Sequence, residues 1–215
     1  MSSTLISPCE PEQHLLLDDV SWAYYDQTLR ELDGRHLRIT FDQGRLEIMT
    51  VGDIHERVKT SAGRLLELYS LERDIPITGL GSITCRREDL QKGLEPDECY
   101  YVNRAAPPPT EGELDLHQYE APDLAIEVDV TSSSIPREPI YAALNVLEVW
   151  RFDGSQIAVL RRQSTGKYLA SADSAIFPDL PMDIFNRFLR LAIEGSQHKA
   201  AVAFRDWLRQ NPPSK

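Results

Sequence analysis

The chain has 215 residues and a formal net charge of −11, with 41% hydrophobic and 27% charged positions. That length suits one domain able to bury about 70% of its unfolded surface, which excludes disorder as the default. The acidic balance excludes a protein that neutralises phosphates over a broad face, so any nucleic-acid contact has to be local.

Met1 to Asp19 lacks the basic flank and apolar run of a secretion signal, and no stretch stays uncharged for the width of a bilayer. A cytoplasmic protein without membrane contact is expected. After this polar leader, Val20 to Tyr25 and Leu29 to Leu32 read as a short helix or turn. His36 to Phe41 and Arg45 to Met49 alternate around Asp42-Gln43-Gly44, the pattern of a hairpin with a glycine-containing turn. Asp53 is a candidate N-cap with Glu56 three residues on, and Val58, Ala62, Leu65, Leu66 and Tyr69 give an amphipathic helix to about Glu72.

Ile75 to Thr84 reads as a strand interrupted by Gly79 and Gly81, Arg86 to Lys92 as a turn or loop, and Glu95 to Val102 as an acidic strand. Arg104 to Glu120, with Pro107-Pro108-Pro109 and Gly112, reads as an exposed connection. Pro122 to Asp129 is an apolar strand, and Thr131 to Ser134 a loop. Pro139 to Leu144 is a short helix and Leu147 to Phe152 another strand, which together give a parallel β-α-β unit. Gln156 to Arg162 and Lys167 to Ala170 pair as a hairpin, and two helices close the chain over Pro181 to Leu191 and Lys199 to Arg209. One α/β domain with C-terminal helices is the economical reading.

Most familiar chemistries are missing. Cys9, Cys85 and Cys99 lack metal-ligand spacing and read as free thiols, and the five histidines contain no pair three or four apart. Gly79-Leu-Gly81-Ser82 lacks the ending of a phosphate loop, and Ser132, Ser133 and Ser134 have no histidine nearby in sequence. Trp22, Trp150 and Trp207 read as packing residues, and the basic groups Arg86-Arg87, Arg161-Arg162 and Arg57, Lys59, Arg64 as solvated faces.

The carboxylates are the exception. Strand side chains alternate, so Glu127 and Asp129 point the same way, and Asp97 joins them if its strand pairs in register. Gathered like charges need a counter-charge, and a divalent metal ion is the obvious one. Spacing alone leaves open the blander alternative, that these acids are exposed or salt-bridged at strand ends.

A helix opening on His55-Glu56, a Pro96-Asp97 strand, Pro122-Asp-Leu-Ala-Ile-Glu127-Val128, a serine-rich loop, Tyr141 on a short helix and Glu148-Val-Trp150 follow one another in an order that resembles the Uma2 family, or DUF820, abundant in cyanobacteria. The likeness runs from about Leu37 to Leu191. It implies a restriction-endonuclease-like fold of the PD-(D/E)XK superfamily: a central mixed β-sheet flanked by helices, with an N-terminal hairpin and C-terminal helices. The implied organisation is a leader and short helix over 1–35, the endonuclease-like domain over 36–195 and a C-terminal helix over 196–215.

The resemblance further implies a Mg²⁺- or Mn²⁺-dependent endonuclease with DNA as its substrate. Asp97 and Glu127 would hold the metal, with the Val128 carbonyl as a third ligand and Glu56 as an additional helix carboxylate. Asp129 stands where superfamily enzymes carry a lysine, and a carboxylate cannot supply that positive charge. Arg137, four residues before Tyr141, or Lys59, one turn beyond Glu56, would then be the cation, with Asp129 widening the metal site or activating water. The alternative is a catalytically impaired fold that serves as a dimeric interaction or structural protein, a homodimer through sheet edges and C-terminal helices.

Overall fold

The computed structural model describes residues 12–109, 112–129 and 133–213. In chain order the elements are β1 (His14–Leu17), α1 (Trp22–Leu32), β2 (Leu37–Asp42), β3 (Arg45–Thr50), α2 (Asp53–Glu72), β4 (Ile77–Gly79), β5 (Thr84–Arg87), β6 (Lys92–Leu94), β7 (Glu98–Val102), β8 (Glu113–Asp115) and β9 (Leu124–Val128). They continue with α3 (Glu138–Ala143), β10 (Glu148–Phe152), β11 (Ile157–Arg162), β12 (Tyr168–Ser171), α4 (Met182–Glu194) and α5 (Gln197–Gln210).

The strands form two mixed sheets. One has the order β1-β3-β2-β6-β5-β8 and the other β12-β11-β10-β9-β7-β4. The α/β class expected from sequence holds, and the hairpin that was expected beside a single central sheet belongs to a second one. Its turn places both Gln43 (φ 49°) and Gly44 (φ 90°) in the left-handed region, the geometry that matches the twist of a two-residue hairpin. The short segment of the leader that pairs with β3, His14↔Met49 to Leu17↔Leu46, forms β1.

Four other local expectations change. Ile75 to Thr84 is not one strand: β4 pairs with β7 and β5 with β6, so the chain crosses between sheets at Gly79 to Ser82. The segment expected as a loop before Asp97 ends in β6, and the exposed connection contains β8, parallel to β5. Asp53 does not cap α2; Gly52 does, without a side-chain bond, because the helix begins one residue earlier than the capping pattern suggested. Glu56 therefore sits inside the first turn, where it complements the helix dipole and is free to face neighbouring cations.

Apolar clusters lie on both faces of the second sheet. Leu124, Ile126, Val128, Trp150 and Phe152 face α2, α4 and α5, while Ala125, Val149 and Leu160 face α3 and the first sheet. Tyr25 of α1 stacks on Phe41 of β2 with ring centroids 4.8 Å apart. Beneath it the chain needs glycine at position 93, since a Cβ there would stand 2.1 Å from the Tyr25 hydroxyl. Trp22 and Trp150 are buried, in line with a packing role.

α5 is tied to α2 by polar contacts as well as by Phe204 and Leu208. Arg209 pairs with Glu72 at 2.7 Å, Arg73 donates to the Leu208 carbonyl, Arg57 to the Gly195 carbonyl and Arg64 to Gln197. Arg57 and Arg64 stay exposed, as expected of a solvated face, while making these contacts. Glu148 accepts from Trp150 Nε1 at 2.7 Å, Ser174 Oγ at 2.5 Å and the Ala175 amide at 2.9 Å. The Glu-x-Trp motif accordingly anchors the turn that leads into α4. Cys85 and Cys99 are buried free thiols, and Cys9 lies outside the described residues. Among the described residues no helix is long and apolar enough to cross a membrane.

Candidate active site

β7 runs antiparallel to β9 in the register Glu98↔Ile126, and the Asp97 amide donates to the Ile126 carbonyl at 3.2 Å. That register sets Asp97 beside Glu127, and both are buried, at 1% and 6% exposure. The second Pro-Asp pair goes elsewhere. Because the strands are antiparallel, Asp123, just before β9, lies at the opposite end of β7, where it accepts from the Val102 amide and Arg104.

Each of the paired carboxylates is held by an arginine. Asp97 Oδ1 accepts from Arg38 Nε at 2.9 Å, and its Oδ2 accepts from the Val128 amide at 2.6 Å and lies 3.1 Å from His55 Nε2. Glu127 Oε1 accepts from the Tyr141 hydroxyl and lies 3.2 Å from an Arg137 guanidinium nitrogen. Arg137, the N-cap of α3, stands four residues before Tyr141 and also donates to the Glu95 carbonyl.

The two acids respond differently to this shared setting. Burial pushes Asp97 upward, but His55, Arg38 and Arg137 outweigh it and hold the carboxyl at about 2. Burial dominates for Glu127, Arg137 opposes it, the Asp97 charge adds to it, and the group is pushed up to about 8. Neighbouring Glu95 is also raised, mainly by burial. A pair of adjacent carboxyls with pKa values driven apart is the electrostatic signature of an acidic catalytic or cation-binding centre.

The remaining sequence candidates surround the pair. Glu56 is 42% exposed on the first turn of α2, with its oxygens 3.8 Å from Arg38, 3.7 Å from His55 Nδ1 and 3.7 Å from Lys59. Lys59 is only 16% exposed, so it is not a freely solvated lysine. Asp129 lines a cavity of about 290 Å³ together with Glu127, Arg137, Tyr141 and Arg151. A larger cleft of about 830 Å³ reaches Arg38 and Glu95 from the other side, but neither of the paired carboxylates lines it. Val128, expected to act through its carbonyl, contacts Asp97 through its amide.

Arg38, His55 and Glu47 carry parts of this site that the sequence reading did not assign. Arg38 looks like an ordinary charged position on an alternating strand, yet β2 is flanked by β3 and β6 and its side chain is 7% exposed. Glu47 on β3 accepts from His14 at 3.1 Å, from the Ser134 amide at 2.7 Å and from the Ser133 hydroxyl, fastening the chain that follows β9. No spacing within their own strands marks Arg38 or Glu47, whose roles depend on partners distant in the chain.

Comparison with known proteins decides the family. The model of the family described as "Uma2: Putative restriction endonuclease" matches residues 22–184. The chain belongs to the Uma2 family. Among solved structures, it is similar to one titled a putative nuclease belonging to DUF820 from Anabaena variabilis ATCC 29413. The identity is 15% and the TM-score 0.45, over 84% of this chain and 98% of that one. No curated protein matches. Membership of Uma2 points to a nuclease of restriction-endonuclease type as the class of activity.

The donor chemistry suits a hard divalent cation, since the paired side chains offer carboxylate oxygens and no thiolate. Among the described residues no three His, Cys, Asp or Glu side chains form a group that could hold a metal ion. A cation between Asp97 and Glu127 would therefore complete its shell with backbone oxygen and water, as Mg²⁺ commonly does.

Proposed function

We propose that this Uma2 protein is a Mg²⁺- or Mn²⁺-dependent endonuclease that hydrolyses phosphodiester bonds in DNA. The observation that carries the reading is the buried Asp97 and Glu127 pair, side by side with a guanidinium on each. Asp97 and Glu127 would hold the cation, with the Val128 carbonyl as third oxygen. Such an ion would polarise the scissile phosphate and acidify a water.

The chain's own residues do the positioning. Arg38 and His55 hold Asp97 ionised, and Arg137 and Tyr141 fix Glu127. Arg137 stands where negative charge grows on the phosphate, the part a lysine plays in related folds; being always protonated, it stabilises charge and does not remove a proton. Asp129, on the same cavity wall, would be the carboxylate that takes the proton of the attacking water. Glu56 and Lys59 shape the charge at the rim.

Plasmid nicking with Mn²⁺ or Mg²⁺ tests the reading on wild type, Asp97→Ala and Glu127→Ala. Nicked and linear product from wild type alone is expected, and equal cleavage by all three proteins sinks the assignment.

The engagement of both Asp97 oxygens by protein groups favours a second reading, in which the fold has lost catalysis and serves as a homodimeric interaction protein. Titration calorimetry separates the two. Mn²⁺ binding abolished by Glu127→Ala supports the enzyme, whereas no heat at millimolar Mn²⁺, with a dimer mass by light scattering, supports the interaction protein.

A further inference from the structure

Arg38 holds an oxygen that a cation would need. Its Nε donates to Asp97 Oδ1 at 2.9 Å, while its Nη2 is buried, has no hydrogen-bond partner among the described residues and lies 3.8 Å from Glu56 Oε1. A buried guanidinium nitrogen left unbonded is costly, and a shift of about 1 Å would bring it to ordinary hydrogen-bond distance of Glu56. Among the described residues, Glu56 in turn has three cationic or potentially cationic neighbours, Arg38, His55 and Lys59, at 3.7–3.8 Å and none closer. It is a carboxylate with unused acceptor capacity, set on the first turn of a helix whose backbone holds it in place.

We propose that Arg38 is a positioning residue that exchanges partners: it neutralises Asp97 while the cation is absent and passes to Glu56 when a divalent ion takes Asp97 Oδ1. Glu56 is then the acceptor that receives the displaced arginine, not a ligand of the ion. The driving force is Coulombic. A divalent ion bound to Oδ1 would stand within a few ångströms of the guanidinium, and that repulsion is relieved if Arg38 moves toward a second carboxylate. The arginine is restrained by β2, which pairs on both sides with β3 and β6, so the exchange is a side-chain movement and not a shift of the strand.

This inference rests on Asp97 and Glu127 being the cation ligands, and its test separates failure of that reading from failure of the exchange. Mn²⁺ affinity is measured by titration calorimetry, without substrate, for wild type, Glu56→Gln, Arg38→Met and the double variant, with thermal melts as a folding control. Glu56→Gln, a change at a half-exposed position, is expected to weaken Mn²⁺ by about tenfold to a hundredfold, the range for residues that support a ligand from outside its coordination shell. Arg38→Met is expected to tighten Mn²⁺ by removing the competing cation. In the Arg38→Met background Glu56→Gln should change nothing, because its effect passes through Arg38.

If Arg38→Met does not fold, Arg38→Gln, which keeps a polar side chain there, serves as the second background. Equal weakening by Glu56→Gln in both backgrounds would overturn the exchange and make Glu56 a ligand or a through-space charge. Absence of any effect of Glu56→Gln on wild type would overturn it as well. Binding seen only when Arg38 is removed would overturn the exchange too, because it would mean that Arg38 does not leave Asp97 in the wild-type protein. No binding by any of the four proteins overturns the metal assignment itself.

Discussion

Glu127→Gln in the metal-free protein is the perturbation whose sign follows most directly from the site. A folded-state value of about 8 against an ordinary 4.5 means that the native protein binds the proton more tightly than the unfolded chain does. The stabilisation that this protonation contributes is fully present below about pH 4.5 and is lost as pH rises toward and through 8. Gln is neutral at every pH, so the stability difference, variant minus wild type, should grow in the variant's favour as pH rises. Between pH 6 and pH 9 those two values give a change of about 2–3 kcal/mol in that difference, at about 1.4 kcal/mol per pH unit of unequal protonation. For a chain of this size that corresponds to roughly 5–10 °C in relative melting temperature. Scanning calorimetry in EDTA at the two pH values measures it. A melting difference between variant and wild type that is the same at pH 6 and pH 9 would refute the claim that burial, more than Arg137, governs Glu127.

Other substitutions probe separate parts of the account. Arg137→Met should lower the cleavage rate by about a hundredfold or more, with Arg137→Lys recovering part of it, as read by single-turnover kinetics on a short duplex. Glu148→Ala should lower stability by about 2–4 kcal/mol in urea melts, because it strands the donors of Trp150, Ser174 and Ala175 in the core. Gly93→Ala should cost about 1–3 kcal/mol, since the new methyl meets the Tyr25 ring, and combining it with Tyr25→Phe should recover part of the loss.

The parts of this molecule governed by local chemistry were readable in its sequence. The Asp42-Gln43-Gly44 turn needs positive φ, and the hairpin forms there; the apolar period from Val58 to Tyr69 gives α2; the β9-α3-β10 unit is parallel. Alternation also put Glu127 and Asp129 along one cavity wall. The register that brings Asp97 to Glu127 was only conditional, since it depends on a pairing between residues about thirty apart that no local pattern specifies.

What stayed hidden depends on neighbours distant in the chain. Lys92 to Leu94 and Glu113 to Asp115 are short and polar enough to pass for loops, and they become strands because the first sheet supplies partners on both sides of β5. Asp53 and Glu56 matched a capping pattern, but Gly52 takes the cap and the Glu56 carboxylate faces Arg38, His55 and Lys59. Arg38 was invisible for the same reason. Its importance comes from Asp97, 59 positions away, and from burial between two strands rather than from any spacing in its own segment.

The central claim is that Asp97 and Glu127 jointly hold one divalent cation. Anomalous diffraction from a crystal soaked in Mn²⁺ tests this most directly. The account predicts one strong peak in coordination distance of both carboxylates, absent when either is changed to alanine. A peak elsewhere, or Arg38 still on Asp97 with no manganese beside it at saturating concentration, would contradict it.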